Sequence, residues 1–146
     1  MPEKLSKTPQ SELSKDVSSA KFIFANGDIY DGEFTLNDSG SIVRQGFGTF
    51  TCQDGVVYSG NWLNDKMNGK GSFIHQQSGM KYEGDFVNGK YEGVGKYIWP
   101  DGYYYEGEFK DSKLAGRGIL KDPCGQTWYG KFEGNFANNL RFKLNM

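Results

Sequence analysis

The chain has few of the residues that usually do chemistry. It contains one histidine and two cysteines in 146 residues. His75 has no partner at metal-ligand spacing, and a zinc site needs three or four donors, so a surface or loop histidine is expected. Cys52 and Cys124 form no Cys-x-x-Cys pair and read as two reduced structural thiols. No apolar run approaches the ~18 residues of a membrane span, and no signal peptide is evident, so a soluble intracellular chain is expected. The formal net charge of −1 gives no basic footprint for nucleic acid and no polybasic cluster for anionic lipid. There is no P-loop and no Ser/His/Asp or Cys/His set, and the Gly-x-Gly pairs lack the third glycine of a dinucleotide fingerprint. The expectation is a non-catalytic protein with no cofactor, no metal and no nucleic-acid partner.

What the chain does have is repetition. Hydrophobic residues make up only 36%, yet aromatics reach 16% and there are 21 glycines. Five copies of aromatic-x-Gly-x-Phe/Trp run through it, beginning at Tyr30, Tyr58, Tyr82, Tyr105 and Trp128, and so 28, 24, 23 and 23 residues apart. A fixed period of this length marks a repeat array, whose stability is a sum over repeats and their interfaces. The central glycines are Gly32, Gly60, Gly84, Gly107 and Gly130. Another glycine stands three residues before each leading aromatic, preceded by Asn26, Asp54, Ser78 and Asp101 in four copies. Asn-Gly and Asp-Gly are hairpin signals, because both central residues of a type I′ turn take positive φ. Gly-x-Gly pairs follow in four copies, at 46–48, 69–71, 93–95 and 116–118.

Strand side chains alternate faces, so Tyr82, Gly84 and Phe86 share one face while Glu83 and Asp85 share the other. A two-residue turn at Asn88-Gly89 pairs Gly84 with Gly93 and Tyr82 with Gly95, letting a ring lie over a glycine. The acidic pairs Asp31/Glu33, Glu83/Asp85 and Glu106/Glu108 superficially suggest a glycosidase. They recur in successive copies, however, whereas a catalytic pair occurs once, so a solvated face is expected. Residues 45–50 faintly suggest an RNA-recognition strand but are one copy of Gly-x-Gly-x-aromatic without the βαβ context.

The pattern Tyr-x-Gly-x-Phe/Trp, a short turn, then Gly-x-Gly-x-aromatic resembles the MORN repeat over roughly residues 22–136. The expected fold is all-β: an elongated, twisted, single-layer antiparallel sheet of consecutive hairpins. Residues 1–20, rich in Ser and Lys and without aromatics, read as a flexible tail. Residues 21–139 form the array, about four full repeats and a terminal half-repeat, with a protruding first loop at Ser39–Gln45. Leu140, Phe142, Leu144 and Met146 alternate with Arg141, Lys143 and Asn145, so 140–146 read as a capping strand.

Repeat arrays bind along extended surfaces. The candidate partner-binding residues are Tyr58, Trp62, Tyr82, Phe86, Trp99, Tyr103, Tyr105 and Phe109, an aromatic groove suited to a helical or extended protein segment. Two alternatives are a membrane-lipid module, disfavoured by the charge pattern, and self-association as a homodimer through residues 140–146. The family resemblance implies a cytoplasmic scaffold at cytoskeletal, ciliary (axonemal) or membrane-associated structures, including acrosome-like vesicles of male germ cells.

Overall fold

The structure is a computed structural model that describes residues 16–134 and 136–143. Among these, every regular element is a strand. They are β1 (Ser18–Ile23), β2 (Ile29–Leu36), β3 (Ile42–Thr51), β4 (Val56–Leu63), β5 (Lys66–His75), β6 (Met80–Val87), β7 (Lys90–Ile98), β8 (Tyr104–Lys110), β9 (Lys113–Lys121), β10 (Thr127–Gly134) and β11 (Phe136–Lys143). All pair antiparallel in chain order, in one unclosed sheet with β1 and β11 at its ends. Ten inter-strand steps of ~4.8 Å give a span of about 48 Å along the hydrogen-bonding direction.

The register places the central glycine of each motif and the second glycine of each Gly-x-Gly pair in one line. Gly32, Gly48, Gly60, Gly71, Gly84, Gly95, Gly107, Gly118 and Gly130 pair successively across nine strands. Beside that line runs a second row in which Tyr30, Phe50, Tyr58, Phe73, Tyr82, Tyr97, Tyr105, Leu120 and Trp128 pair in the same order. The two rows explain each other. A Cβ at Gly95 would lie 2.4 Å from the Tyr82 hydroxyl oxygen, and one at Gly84 would lie 2.5 Å from the Cα of Gly95. The tyrosine ring occupies the space that a side chain at Gly95 would fill, and the glycine on the other strand lets the two backbones close beneath it.

The pairing corrects the expected register. Asn88-Gly89 does form the two-residue turn, with Val87 opposite Lys90, but Gly84 lies opposite Gly95 and Tyr82 opposite Tyr97. Between Phe86↔Tyr91 and Gly84↔Gly95 the strand β7 carries Glu92, Gly93 and Val94 against the single residue Asp85. This bulge uses Gly93 at φ 73°, a left-handed conformation that suits glycine. The ring of Tyr82 still covers Gly95, reaching it diagonally.

The turns are also redistributed. Both central residues take positive φ at Asn64-Asp65, Asn88-Gly89 and Asp111-Ser112, so these connect the two strands of a repeat as type I′ turns. At Asn26-Gly27 only the glycine does. There the Gly27 N–H donates to the Phe24 carbonyl at 2.9 Å, which closes a four-residue turn ending in one left-handed glycine. Asn26 meets the need for a turn residue without entering the left-handed region itself.

Three boundaries differ from expectation. Ser18–Ala20, read as tail, belong to β1, which pairs with β2 from Ser18↔Phe34 to Ile23↔Ile29; residues 1–15 of that tail lie outside the described residues. Most of the long first loop is strand: Leu36↔Ile42, Thr35↔Val43 and Phe34↔Arg44 extend the hairpin arm. Only 37–41 remain as loop, held by Asn37 Oδ1, which accepts the N–H groups of Ser39 and Ser41 at 3.0 and 2.9 Å. β11 begins at Phe136, four residues before the expected capping strand, and pairs along β10. The fifth repeat is thereby a two-strand unit without a Gly-x-Gly pair; residues 144–146 lie outside the described residues.

Candidate partner-binding surface

Each leading tyrosine is fixed by its own strand. Its hydroxyl donates to the main-chain carbonyl three residues on: Tyr58 to Asn61 at 2.8 Å, Tyr82 to Asp85 at 2.8 Å and Tyr105 to Glu108 at 3.0 Å, with Tyr30 bonding Glu33 likewise. Burial pushes the phenol pKa up to about 12 for Tyr30, Tyr58 and Tyr105, and further still for Tyr82. Desolvation is the leading cause in all four, partly offset at Tyr30 by the nearby Arg44 cation.

The rings then join into a zigzag. Tyr30–Trp62–Tyr58–Phe86–Tyr82–Phe109–Tyr105–Phe132 make edge-to-face contacts with centroids 4.7 to 5.6 Å apart. Tyr58, Tyr82 and Tyr105 are each clasped between the Phe or Trp of their own motif and that of the next, while Tyr30 meets only Trp62 of the next. Such pairs add about 0.5–1.5 kcal/mol beyond their burial, so the contact that fills one repeat also couples it to its neighbour.

This corrects the candidate site. Tyr58, Trp62, Tyr82, Phe86, Tyr105 and Phe109 are all buried core residues, so their surfaces are used within the chain and are not offered to a partner. Rings of adjacent repeats close over one another, and alternation along one strand cannot show that. Of the eight candidates, Trp99 is half-buried and Tyr103 is 38% exposed.

The accessible apolar surface on the same face comes from the other strand of each repeat. Phe50, Phe73, Tyr97 and Leu120 lie half-buried in the ring row, with Met67, Tyr91 and Leu114 beside them. In the third repeat Tyr91 stacks on Tyr82 at 3.9 Å between centroids, and Tyr97 packs on Trp99 at 4.9 Å. Tyr91, Tyr97, Trp99, Phe109 and Leu114 wall a slot of about 190 Å³. In the first repeat Arg44 stands in place of Tyr91, with its guanidinium 4.2 Å from the Trp62 ring and its Nε 2.6 Å from Asp65 Oδ1.

The expected solvated acidic face needs division. Asp31, Glu83 and Glu106 point to solvent, but Glu33, Asp85 and Glu108 accept hydrogen bonds from the bulge N–H groups of Phe47, Val94 and Arg117. Lys70 Nζ, 2.6 Å away, and the Val94 N–H together hold the Asp85 carboxyl below the usual carboxylate range, against some opposing desolvation. The signal was in the spacing: the second acid of the motif stands nine residues before Val94 or Arg117. Chemically the surface offers rings and hydrogen-bond donors. Among the described residues no group of three or more His, Cys, Asp or Glu is placed to hold a metal ion, and no helix is long and apolar enough to cross a membrane.

Together the meander, the glycine line and the ring zigzag define a β-hairpin repeat protein of the scaffold kind. The family model that matches is the MORN repeat, over residues 43–57, 58–78, 82–102 and 105–126, together more than half of the chain. The chain belongs to the MORN-repeat family. Strands β1 and β2, ahead of the first matched residue, share the same register rows. No curated protein matches the chain significantly. Among solved structures, the TCP domain of SAS-4 (dCPAP) in complex with a proline-rich motif of Ana2 (dSTIL) of Drosophila melanogaster is similar over 99% of each chain. The identity is 10% and the TM-score 0.24, a level of likeness that carries no argument about this chain.

Proposed function

We propose that the protein is a non-catalytic scaffold that holds a helical or extended segment of a partner protein along its half-buried aromatic band. The observation that carries this reading is the third repeat. Tyr91, Tyr97 and Trp99 wall an open slot, and their side-chain hydroxyl and indole N–H groups make no hydrogen bond among the described residues. Rings with an unused polar tip are typical of binding surfaces, where one side is dry and the other wet. MORN repeats commonly serve as interaction scaffolds, which agrees with this reading. The scaffold is placed in the cytoplasm, at cilia or at acrosome-like vesicles of male germ cells, on the family resemblance alone. The test is affinity purification from testis extract with wild type and a Trp99→Ala/Tyr103→Ala double variant of equal thermal stability. Partners lost from the variant are expected; an identical set of partners overturns the assignment to this surface.

A second reading is self-association. The end strands β1 and β11 each pair on one side only among the described residues, and an unpaired edge is a template for another strand. Light scattering that finds a monomer at 100 μM, about the strength of a weak edge contact, removes this reading.

A further inference from the structure

The face opposite the ring band changes character at its C-terminal end. Residues 113–146 carry six basic and two acidic residues, a net +4, which leaves −5 for residues 1–112 of a chain whose total is −1. The register shows where that charge is focused. At the boundaries between successive repeats, the residue inside each Gly-x-Gly pair faces the residue before the Phe or Trp of the next motif. Phe47 faces Asn61, Lys70 faces Asp85, Val94 faces Glu108 and Arg117 faces Lys131. Lys70 and Asp85 form an ion pair at 2.6 Å. At the last boundary a lysine stands in the place of that acid, and like charges directly opposite are destabilising.

Two residues along the same strands, the last boundary departs again. The corresponding pairs are Thr49/Ser59, Ser72/Glu83 and Lys96/Glu106, all polar, and then Ile119/Tyr129. Ile119 and Tyr129 are each 43% exposed. The cation pair and the apolar pair share a face. β9 and β10 run in unbroken register from Leu114↔Gly134 to Lys121↔Thr127, so alternation puts Arg117, Ile119, Tyr129 and Lys131 on the side away from Leu120 and Trp128. Together they border an open hollow of about 680 Å³.

The two cations have nothing else to hold. Both are exposed, and their side chains make no ion pair, hydrogen bond or ring contact among the described residues. Lys96 and Lys121 instead lie 4.3 and 5.8 Å from the centroid of the Tyr104 ring. Of the nearby acids, Glu108 accepts the Arg117 N–H, Glu133 faces Ala115, and Glu106 borders the hollow at its apolar end, opposite Ile119. Directly opposed side chains start ~5 Å apart at Cβ, so Arg117 and Lys131 can close on one anion. Two positive charges match a phosphate ester, which carries about −1.5 to −2, and arginine can bind it through two parallel N–H bonds. The cation pair and the apolar pair are ~6.7 Å apart along the strands, the spacing of residues i and i+2 in an extended peptide. A bilayer surface of uniform negative charge would meet Glu106, Glu108 and Glu133 among the cations, so the alternation favours a peptide.

We propose that this end of the sheet is a second docking surface, for an extended phosphopeptide of a partner protein. Its phosphate lies between Arg117 and Lys131, and an apolar side chain two residues away rests on Ile119 and Tyr129. The surface is on the face opposite the aromatic band and stands whether or not that band is occupied. The test titrates the full chain with fluorescein-labelled Gly-Leu-Gly-phosphoSer-Gly-Leu-Gly, read by anisotropy at low salt; the two leucines serve either chain direction. The unphosphorylated peptide is expected to bind at least tenfold more weakly, and the phosphopeptide with both leucines replaced by glycine at least threefold more weakly. Arg117→Gln/Lys131→Gln should lose at least tenfold in affinity while melting no lower than wild type, since it removes a repulsion. Lys110→Gln/Lys113→Gln takes the same charge from the adjacent hairpin end, where Glu108 and Ala115 are the next pair on that face, and should stay within about twofold of wild type. Binding that ignores the phosphate, or falls equally in the two double variants, overturns the proposal. Indifference to the leucines overturns the placement on Ile119 and Tyr129. Sedimentation with phosphatidylserine vesicles that is lost in Arg117→Gln/Lys131→Gln, without peptide binding, makes the surface a membrane site and overturns the peptide assignment.

Discussion

The Tyr82 hydroxyl donates to the main-chain carbonyl of Asp85, three residues along the same strand, at 2.8 Å. The bond bends the ring across Gly95 and satisfies a carbonyl at the bulge. Removing the hydroxyl leaves that buried acceptor unpaired, a loss of about 1–3 kcal/mol. Tyr82→Phe should therefore lower stability in urea denaturation by about that amount while the β-sheet circular dichroism stays unchanged. A variant as stable as wild type would show that water replaces the hydroxyl.

Gly95 and Ala20 make a matched pair of tests. Both stand in the glycine line, and Ala20 pairs with Gly32 as Gly71 pairs with Gly84. No tyrosine strand precedes Ala20 among the described residues, so its methyl meets no ring. Gly95→Ala would drive a methyl into Tyr82, and overpacking of that kind costs about 1–3 kcal/mol or more. We expect a loss of about 3 kcal/mol for Gly95→Ala and a change under about 0.5 kcal/mol for Ala20→Gly, both read by thermal melting. Equal effects at the two positions would separate the glycine line from the rings.

The consecutive antiparallel strand order and the placing of a ring over a glycine were legible in the sequence, because each rests on local spacing. The two-residue turn at Asn88-Gly89 was legible as well, since its residues tolerate positive φ. The bulge was hidden: Gly84 has a glycine both nine and eleven residues on, and the choice depends on Asp85 capping Val94 across the strand pair. β1 was missed because Ser18 and Ala20 stand where inner strands carry glycine. The binding candidates were misplaced for a physical reason. Whether Tyr58 or Phe73 faces solvent depends on which rings of neighbouring repeats pack over it, which the alternation of a single strand does not encode.

The two acids of one motif should behave differently. Glu106 is exposed and bonds nothing among the described residues, whereas Glu108 accepts the Arg117 N–H at the bulge. Glu106→Ala should change stability by less than about 0.5 kcal/mol. Glu108→Ala should cost about 1 kcal/mol, the lower range of a charge-assisted bond because the group is exposed. Amide hydrogen exchange provides the local check. The Arg117 N–H should exchange faster in Glu108→Ala and not in Glu106→Ala.

Alkali should dissolve the ring zigzag. Tyr30, Tyr58 and Tyr105 ionise in the folded chain only at about 12, against about 10 for an unfolded tyrosine. The folded state thus keeps its phenol protons where the unfolded chain has lost them. The stability contributed by these groups is complete below pH ~10 and declines as pH rises through ~12, because the unfolded state binds fewer protons. Tyrosinate absorbance and β-sheet circular dichroism should accordingly change together in one cooperative step between about pH 10 and 12. Absorbance from the core tyrosines that grows near pH 10 while the sheet stays intact would mean that the hydroxyls reach water without unfolding, contrary to their position beneath Trp62, Phe86, Phe109 and Phe132.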